Sequence, residues 1–375
     1  MLPTATEIVT AGPFSGRESV PEAYSQASPE KHIRAIAEAK ATLRDRLLIL
    51  GHHYQRDEVI QFADYTGDSL KLSRLAAENR RAEFLVFCGV HFMAEVADML
   101  TAPDQKVILP HEGAGCPLAD MATMPEVRHC YHNLKRLLPE PPLPVTYINS
   151  DAELKAFCGR HGGAICTSAN AVQVISWGLQ RAARVLFFPD QHLGRYSGAK
   201  LGLSEAQMPV WDSKTDPGPD AAERFSAAPL ILWRGFCQVH TRFTPEQVAA
   251  VRARYPGIKV IVHPECPRAV VEAADQSGST EGILRAVSQS PPGSAWAVGT
   301  EQNLVARLAA QHPDKTVVPL MQGGSVCPTM ALIDLAHLHW VLDNLLAGRV
   351  VNQVRVPPEV AEQARVALNR MLELA

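Results

Sequence analysis

Met321-Gln-Gly-Gly-Ser-Val-Cys327-Pro-Thr-Met330 places a cysteine where one apolar run ends and another begins. The preceding Thr316-Val-Val-Pro-Leu320 reads as a buried strand, and Gly323-Gly324 permits a tight turn. Cys327-Pro328 is expected to open a long apolar helix. A helix N-terminus favours the thiolate, which is the form of cysteine that ligates metal. Taken alone, the stretch reads more readily as a core cysteine that happens to precede a proline.

The arrangement recurs, however. Lys106-Val-Ile-Leu-Pro110 is followed by His-Glu-Gly-Ala-Gly115 and then Cys116-Pro117-Leu-Ala-Asp-Met121, again strand, glycines and Cys-Pro. Upstream, His52 is followed by Val59-Ile60, Ala63-Asp64, Thr66-Gly67 and Ser69. His263 is followed at the same offsets by Val270-Val271, Ala274-Asp275, Ser277-Gly278 and Thr280. Cys116 lies 64 positions after His52, and Cys327 lies 64 after His263, so two whole units superimpose.

Working outward, Arg46-Leu-Leu-Ile-Leu50 is a continuous apolar strand of the kind buried on both faces of a parallel sheet. Helices over about 57–65 and 69–79, strand 84–87, helix 92–100 and strand 106–109 follow it. From Lys259-Val-Ile-Val262 the order repeats, with helices from Arg268 and Thr280, strand 296–298, helix 303–310 and strand 316–319. The middle of the chain follows the same plan less cleanly. Pro144 to Asn149, Arg184 to Phe188 and Leu230 to Trp233 read as strands, and Gly235-Phe-Cys237 follows the last of them. Ala164 to Ser168 returns to the sheet edge, and Lys214 to Asp220 reads as an inserted loop.

The expected fold is therefore α/β, with three similar three-layer αβα domains whose parallel sheets surround a pseudo-threefold centre holding an iron–sulfur cluster. The units are bounded at 31–127 (Cys116), 128–256 (Cys237) and 257–345 (Cys327), with an N-terminal tail 1–30 and a C-terminal helical tail 346–375.

Composition narrows the function. A chain of 375 residues that is 46% hydrophobic and 20% charged can bury large cores, and a net charge of −3 gives no reason to expect nucleic acid or an anionic membrane surface as partner. No signal peptide and no run of 18 apolar residues is present, so a cytoplasmic location with small-molecule substrates is expected. Eight cysteines with no C-x-x-C pair exclude a disulfide scaffold, zinc ribbons and thioredoxin-like chemistry. Cys116, Cys237 and Cys327 are the candidate metal ligands, and the other five are read as core residues, with Cys166 and Cys266 beside the site.

Three thiolates from three domains suit an iron–sulfur cubane better than a structural zinc, which would need a fourth ligand such as His240. A cubane on three cysteines leaves one iron open as a Lewis acid. The other strand ends carry His52, Tyr54, Tyr147, Asn149, His263 and Glu265, all proton-active or orienting groups. Ser69, Ser168, Ser279 and Thr280 precede helices, where phosphate or carboxylate oxygens bind, although such hydroxyls also serve as plain caps. Tyr54, His263 and Glu265 are the catalytic candidates. By strand alternation Glu265 is expected to share the face of His263, and its bland alternative is pairing with an arginine or capping the helix near Arg268.

These residues resemble the quinolinate synthase family over about Ile33 to Leu374. The match runs through His52-x-Tyr54, Gly67-Asp-Ser69, Tyr147-Ile-Asn149, Cys166-Thr-Ser168, Pro189-Asp-Gln-His-Leu-Gly194, Cys237-x-Val-His240, His263-Pro-Glu265, Gly278-Ser-Thr280 and Gly299-Thr-Glu301. The resemblance implies a [4Fe–4S] cluster on Cys116, Cys237 and Cys327. It also implies condensation of iminoaspartate with dihydroxyacetone phosphate to quinolinate, with loss of phosphate and two waters. The implied functional partner is an aspartate oxidase or dehydrogenase that makes the imine. Two departures stand out. Some relatives have extra cysteines before the third ligand, and many have Asn and Lys near the place where this chain has Pro328-Thr-Met-Ala331. An aconitase-like [4Fe–4S] hydro-lyase and a non-enzymatic iron–sulfur sensor are the alternatives, and release of phosphate during turnover separates the first of them.

Overall fold

The computed structural model describes residues 20–215 and 218–374. Most of the expected N-terminal tail and part of the inserted loop at 214–220 lie outside the described residues. Within the described part of the tail, a short helix Glu22–Ser25 precedes the helix Pro29–Leu43, which is capped by Ser28.

The chain is α/β, with three separate sheets built on one connection pattern. The first contains β1 (Leu47–His52), β2 (Tyr65–Gly67), β3 (Phe84–Cys88) and β4 (Lys106–Ile108), in spatial order β2-β1-β3-β4 and all parallel. The second contains β5 (Leu143–Tyr147), β6 (Ala164–Cys166), β7 (Val185–Phe188), β8 (Val210–Trp211) and β9 (Leu230–Trp233), ordered β6-β5-β7-β9-β8. The third contains β10 (Lys259–Val262), β11 (Gln276–Ser277), β12 (Ala295–Gly299) and β13 (Thr316–Pro319), ordered β11-β10-β12-β13. In each, the chain leaves the first strand for one edge and then crosses to the other side. The carboxyl end of β1, β5 and β10 is thus the switch point where such sheets place ligands.

The apolar runs explain these strands. All six residues of β1 and all five of β3 are buried, as expected for strands covered on both faces. In the third sheet, Val260 and Val262 enter one core cluster while Ile261 enters another, so the pleat feeds two helix layers in alternation. The first two sheets share one continuous core.

Several expectations need correction. The helix placed over 57–65 is only Asp57–Ile60, and Tyr65–Gly67 is an edge strand paired with Leu50–His52. β11 repeats this in the third sheet, pairing Ile261–Val262 with Gln276–Ser277. Two or three residues are too short to show alternation, and their pairing is supplied by the neighbouring strand. The C-terminal segment is not only helical. Its strand β14 (Gln353–Val354) adds antiparallel to β4 before the helix Pro358–Glu373.

That last helix packs against the helix Ala152–Arg160 of the second sheet, and the helix Leu335–Leu346 packs against Pro29–Leu43 of the first. The approach at Gly159 is so close that a Cβ there would lie 1.9 Å from the Gln363 carbonyl oxygen. No helix among the described residues is long and apolar enough to cross a membrane.

Candidate active site

Cys-Pro does not begin a helix. After Cys116 and Cys327 the chain makes a single 3-10 turn, Ala119–Met121 or Met330–Leu332. The α-helices start later, at Met124 behind a Thr123–Glu126 capping box and at Leu335 behind Asp334. A proline disfavours the helical region for the residue before it, which keeps both cysteines in the loop. The helix-dipole stabilisation expected for these thiolates is absent. Burial instead pushes the Cys116 thiol up to about 12, and raises Cys237 and Cys327 as well.

Each sheet sends three loops toward one cavity of about 70 Å³. The loops after the first strands bring His52, Tyr54, Tyr147, Asn149, His263 and Glu265. Those after the edge strands bring Ser69, Ser168 and Thr280, and those after β4, β9 and β13 bring Cys116, Cys237 and Cys327. Every candidate catalytic, substrate-binding and metal-ligating residue lines this cavity except Ser279. That hydroxyl accepts from the Gly282 N–H and caps the helix Thr280–Ser288, so the capping alternative holds for it.

His263 and Glu265 lie beyond the end of β10, so strand alternation is not what aligns them. A turn does: the Glu265 N–H points at His263 Nδ1 at 3.4 Å. Glu265 neither pairs with an arginine nor caps the next helix. Its Oε2 lies 2.8 Å from His240 Nδ1, and the Tyr147 hydroxyl also bonds to it. The His240 and His263 rings stack 4.2 Å apart at 16°. From His240 a chain of hydrogen bonds continues: Nε2 to Thr300 Oγ1 at 3.2 Å, Thr300 Oγ1 to Tyr54 OH at 2.9 Å, and Tyr54 OH to Thr280 Oγ1 at 3.2 Å. Side chains from all three sheets form this single line of exchangeable protons.

Burial dominates the electrostatics. It lowers the His52 and His263 imidazoles to about 3; the Arg307 charge adds to the effect at His52, and the Glu265 carboxylate opposes it at His263. His52 Nδ1 accepts the Tyr54 N–H at 3.1 Å, so the neutral ring carries its proton on Nε2 as a donor. The Tyr54 and Tyr147 hydroxyls are raised by burial and stay protonated. For Glu265, burial opposes ionisation, but the hydrogen bonds from His240 and the Tyr147 hydroxyl favour the carboxylate, and the carboxyl is lowered.

The donor set fits the implied cluster. The three thiols in the cavity are free, and their charges would interact with one another. The other five cysteines are buried within the apolar cores. A multiply charged cation would displace the protons of these thiols and offset the repulsion that the resulting thiolates would otherwise feel. Asn149 Nδ2 is 3.9 Å from Cys116 Sγ while its Oδ1 is buried without a partner among the described residues, as befits a group awaiting a ligand. Cys237, His240 and Glu265 also bring ligand atoms within 4.8 Å of one another, a set that can hold a single metal ion.

Sequence reasoning gave His240 no definite role and missed Thr300, although Thr300 lies inside the Gly299-Thr-Glu301 stretch. A threonine beside a strand end carries no signal until its hydroxyl is seen between Tyr54 and His240. Phe92 and Met93, in the first turn of the helix His91–Leu100, form part of the cavity wall.

A family model described as Quinolinate synthetase A protein matches residues 34–373. The chain is 50% identical over 359 residues to the quinolinate synthase of Corynebacterium glutamicum, covering 96% of this chain and 91% of that protein. It is 49% identical over 358 residues to that of Anoxybacillus flavithermus (96% and 97% covered) and 51% identical over 344 residues to that of a Nocardioides species (90% and 87% covered).

Proposed function

The chain belongs to the quinolinate synthetase A protein family, and from that membership and the cavity we propose that it is a quinolinate synthase of NAD biosynthesis. The reaction joins iminoaspartate to dihydroxyacetone phosphate and yields quinolinate, inorganic phosphate and two waters. It is thus a transferase-type condensation with dehydration. The three sheets are read as three related domains around a pseudo-threefold centre, with Cys116, Cys237 and Cys327 holding a [4Fe–4S] cluster there. When bound, such a cluster supplies one iron without a thiolate, a Lewis acid toward carboxylate and hydroxyl oxygens.

The chain's own residues supply the rest. Ser69, Ser168 and Thr280 stand at or just before helix starts, where hydroxyls and backbone N–H groups suit phosphate and carboxylate oxygens. His52 is a neutral Nε2–H donor toward carbonyl oxygen, and Asn149 offers its unpartnered Oδ1. Building the ring requires protons to leave carbon and reach departing hydroxyls. Glu265 and His240 hold such a proton between Oε2 and Nδ1, and Thr300 and Tyr54 carry exchange onward to the opposite wall. The supplying reaction is oxidation of aspartate to its imine by an oxidase or dehydrogenase, in the same cytoplasmic compartment.

The observation that carries this reading is the meeting of three otherwise unpaired thiols with the Glu265–His240 pair in one cavity. Anaerobic purification with iron and sulfide counting, an EPR spectrum after reduction, and assays for quinolinate and phosphate test it. Four irons and four sulfides per chain with both products are expected. A hydro-lyase would release no phosphate, and a single metal on Cys237, His240 and Glu265 would bring no sulfide.

A further inference from the structure

One helix of the third sheet holds three consecutive carbonyl groups of the loop that carries Tyr54. On the helix Gln302–Gln311, Arg307 donates from Nη1 to the His53 carbonyl at 2.8 Å and from Nη2 to the Gln55 carbonyl at 2.6 Å. Its Nε donates to Asp57 Oδ1 at 2.7 Å. One turn earlier, Asn303 Nδ2 donates to the Tyr54 carbonyl at 3.2 Å. The two residues are four apart and share one helix face. Asn303 is itself fixed by Glu301, whose Oε1 accepts from Nδ2 at 3.0 Å and whose Oε2 accepts from the Asn303 N–H at 2.7 Å. The Glu301 carboxylate, buried at the helix cap, also takes the backbone N–H of Cys327.

We propose that Arg307 and Asn303 are positioning residues that set Tyr54 from the third sheet, holding its loop by the main chain while Thr280 and Thr300 hold its hydroxyl. The inference rests on the reading that Tyr54 works in the reaction. Its physical basis is that both ends of Tyr54 are held by groups around the third sheet: the hydroxyl by Thr280 and Thr300, the main chain by Asn303 and Arg307. The loop belongs to the first sheet, whereas the groups that align it belong to the third. A guanidinium does this because its planar fork spans two carbonyls and a carboxylate at once, which an ammonium cannot match. The Arg307 side chain is 14% exposed and Asp57 67%, so the clamp closes at the rim of the protein over a buried site. Loss of the clamp leaves the fold's cores untouched but frees the loop to shift by on the order of 1 Å. A displacement of that size costs up to ~10²-fold in rate.

The test compares Arg307→Met and Asn303→Ala, each alone and combined with Tyr54→Phe, in anaerobically purified protein. Each single variant should lower kcat for quinolinate about 10-fold with KM changed less than about twofold, as expected when alignment rather than binding is lost. Iron content should stay at the parental level, and hydrogen exchange of the segment around Tyr54 and Gln55 should quicken. In the Tyr54→Phe background the same substitutions should cost under about twofold, because positioning acts through the hydroxyl that is gone. Equal costs in both backgrounds, or unchanged exchange around Tyr54, would overturn the proposal. If Arg307→Met does not fold, Asn303→Ala carries both comparisons. Should the parent protein make no quinolinate, the functional reading fails by itself, and the exchange measurement alone then decides whether the clamp sets the loop.

Discussion

Replacing Glu265 by Gln isolates the proton chemistry from the shape of the site. The residue is 2% exposed, and its Oε2 lies 2.8 Å from His240 Nδ1, with Tyr147 as a further partner. Glutamine fills the same volume but has no charge to stabilise a proton on His240. A positioned acid–base group contributes about 10²–10⁴-fold, which is about 2.7–5.4 kcal/mol at 1.36 kcal/mol per decade. Stability should change much less. Losing charge-assisted bonds costs about 1.5–3 kcal/mol, but removing a buried charge returns part of that, leaving a net change within about 2 kcal/mol. The assay is anaerobic turnover followed by quinolinate and phosphate, with iron and sulfide counted on the same sample and thermal unfolding alongside. A turnover loss of two to four decades with the cluster intact is expected. Near-parental turnover accompanied by a lower Tm would refute the reasoning, since Glu265 would then serve only packing and pairing.

Cys116→Ser, Cys237→Ser and Cys327→Ser should each lose iron and activity, and one that kept four irons with full turnover would remove that residue from the ligand set. Cys88→Ala, Cys130→Ala and Cys158→Ala should keep iron and cost about 1–2 kcal/mol, since all three are packed in the shared core; iron loss in any of them would count against the assignment. Gly159→Ala should destabilise by about 1–3 kcal/mol or more, because its Cβ would meet the Gln363 carbonyl oxygen at 1.9 Å; an unchanged urea midpoint would show that the last helix is not docked as described. Burial lowers His52 and His263 to about 3 from an ordinary 6.5, so below pH 6.5 the unfolded chain binds more protons than the folded one. Stability should therefore fall as pH drops from about 6.5 toward 3, by up to about 1.4 kcal/mol per pH unit for each histidine. His52→Asn should flatten that slope by its share, and identical slopes in urea unfolding would disprove it.

The repeat of His52 to Cys116 in His263 to Cys327 disclosed the parallel αβα plan. Continuous apolar runs such as Leu47 to Leu50 marked strands covered on both faces, because full burial requires every position to be apolar. The same logic fails for Tyr65–Gly67 and Gln276–Ser277, whose pairing comes from the neighbouring strand and leaves no local periodicity. Cysteines and strand-end histidines were legible by type and spacing, since their chemistry is rare and their offsets coincide. Other features depended on contacts between residues far apart in the chain. Thr300 became part of the site only because Tyr54, 246 positions earlier, reaches its hydroxyl. Glu265 proved to be paired with His240 through the meeting of the second and third sheets rather than through strand alternation. The thiols, expected to be stabilised as anions at helix starts, are instead raised by burial around the cavity, because Pro117 and Pro328 keep them in loops ahead of the helices. Residue identity and spacing thus determined which groups exist and which sheet each belongs to. Their distances, proton states and partners were decided by packing three sheets against one cavity, since electrostatics and hydrogen bonding depend on burial and on atoms that no local pattern brings together.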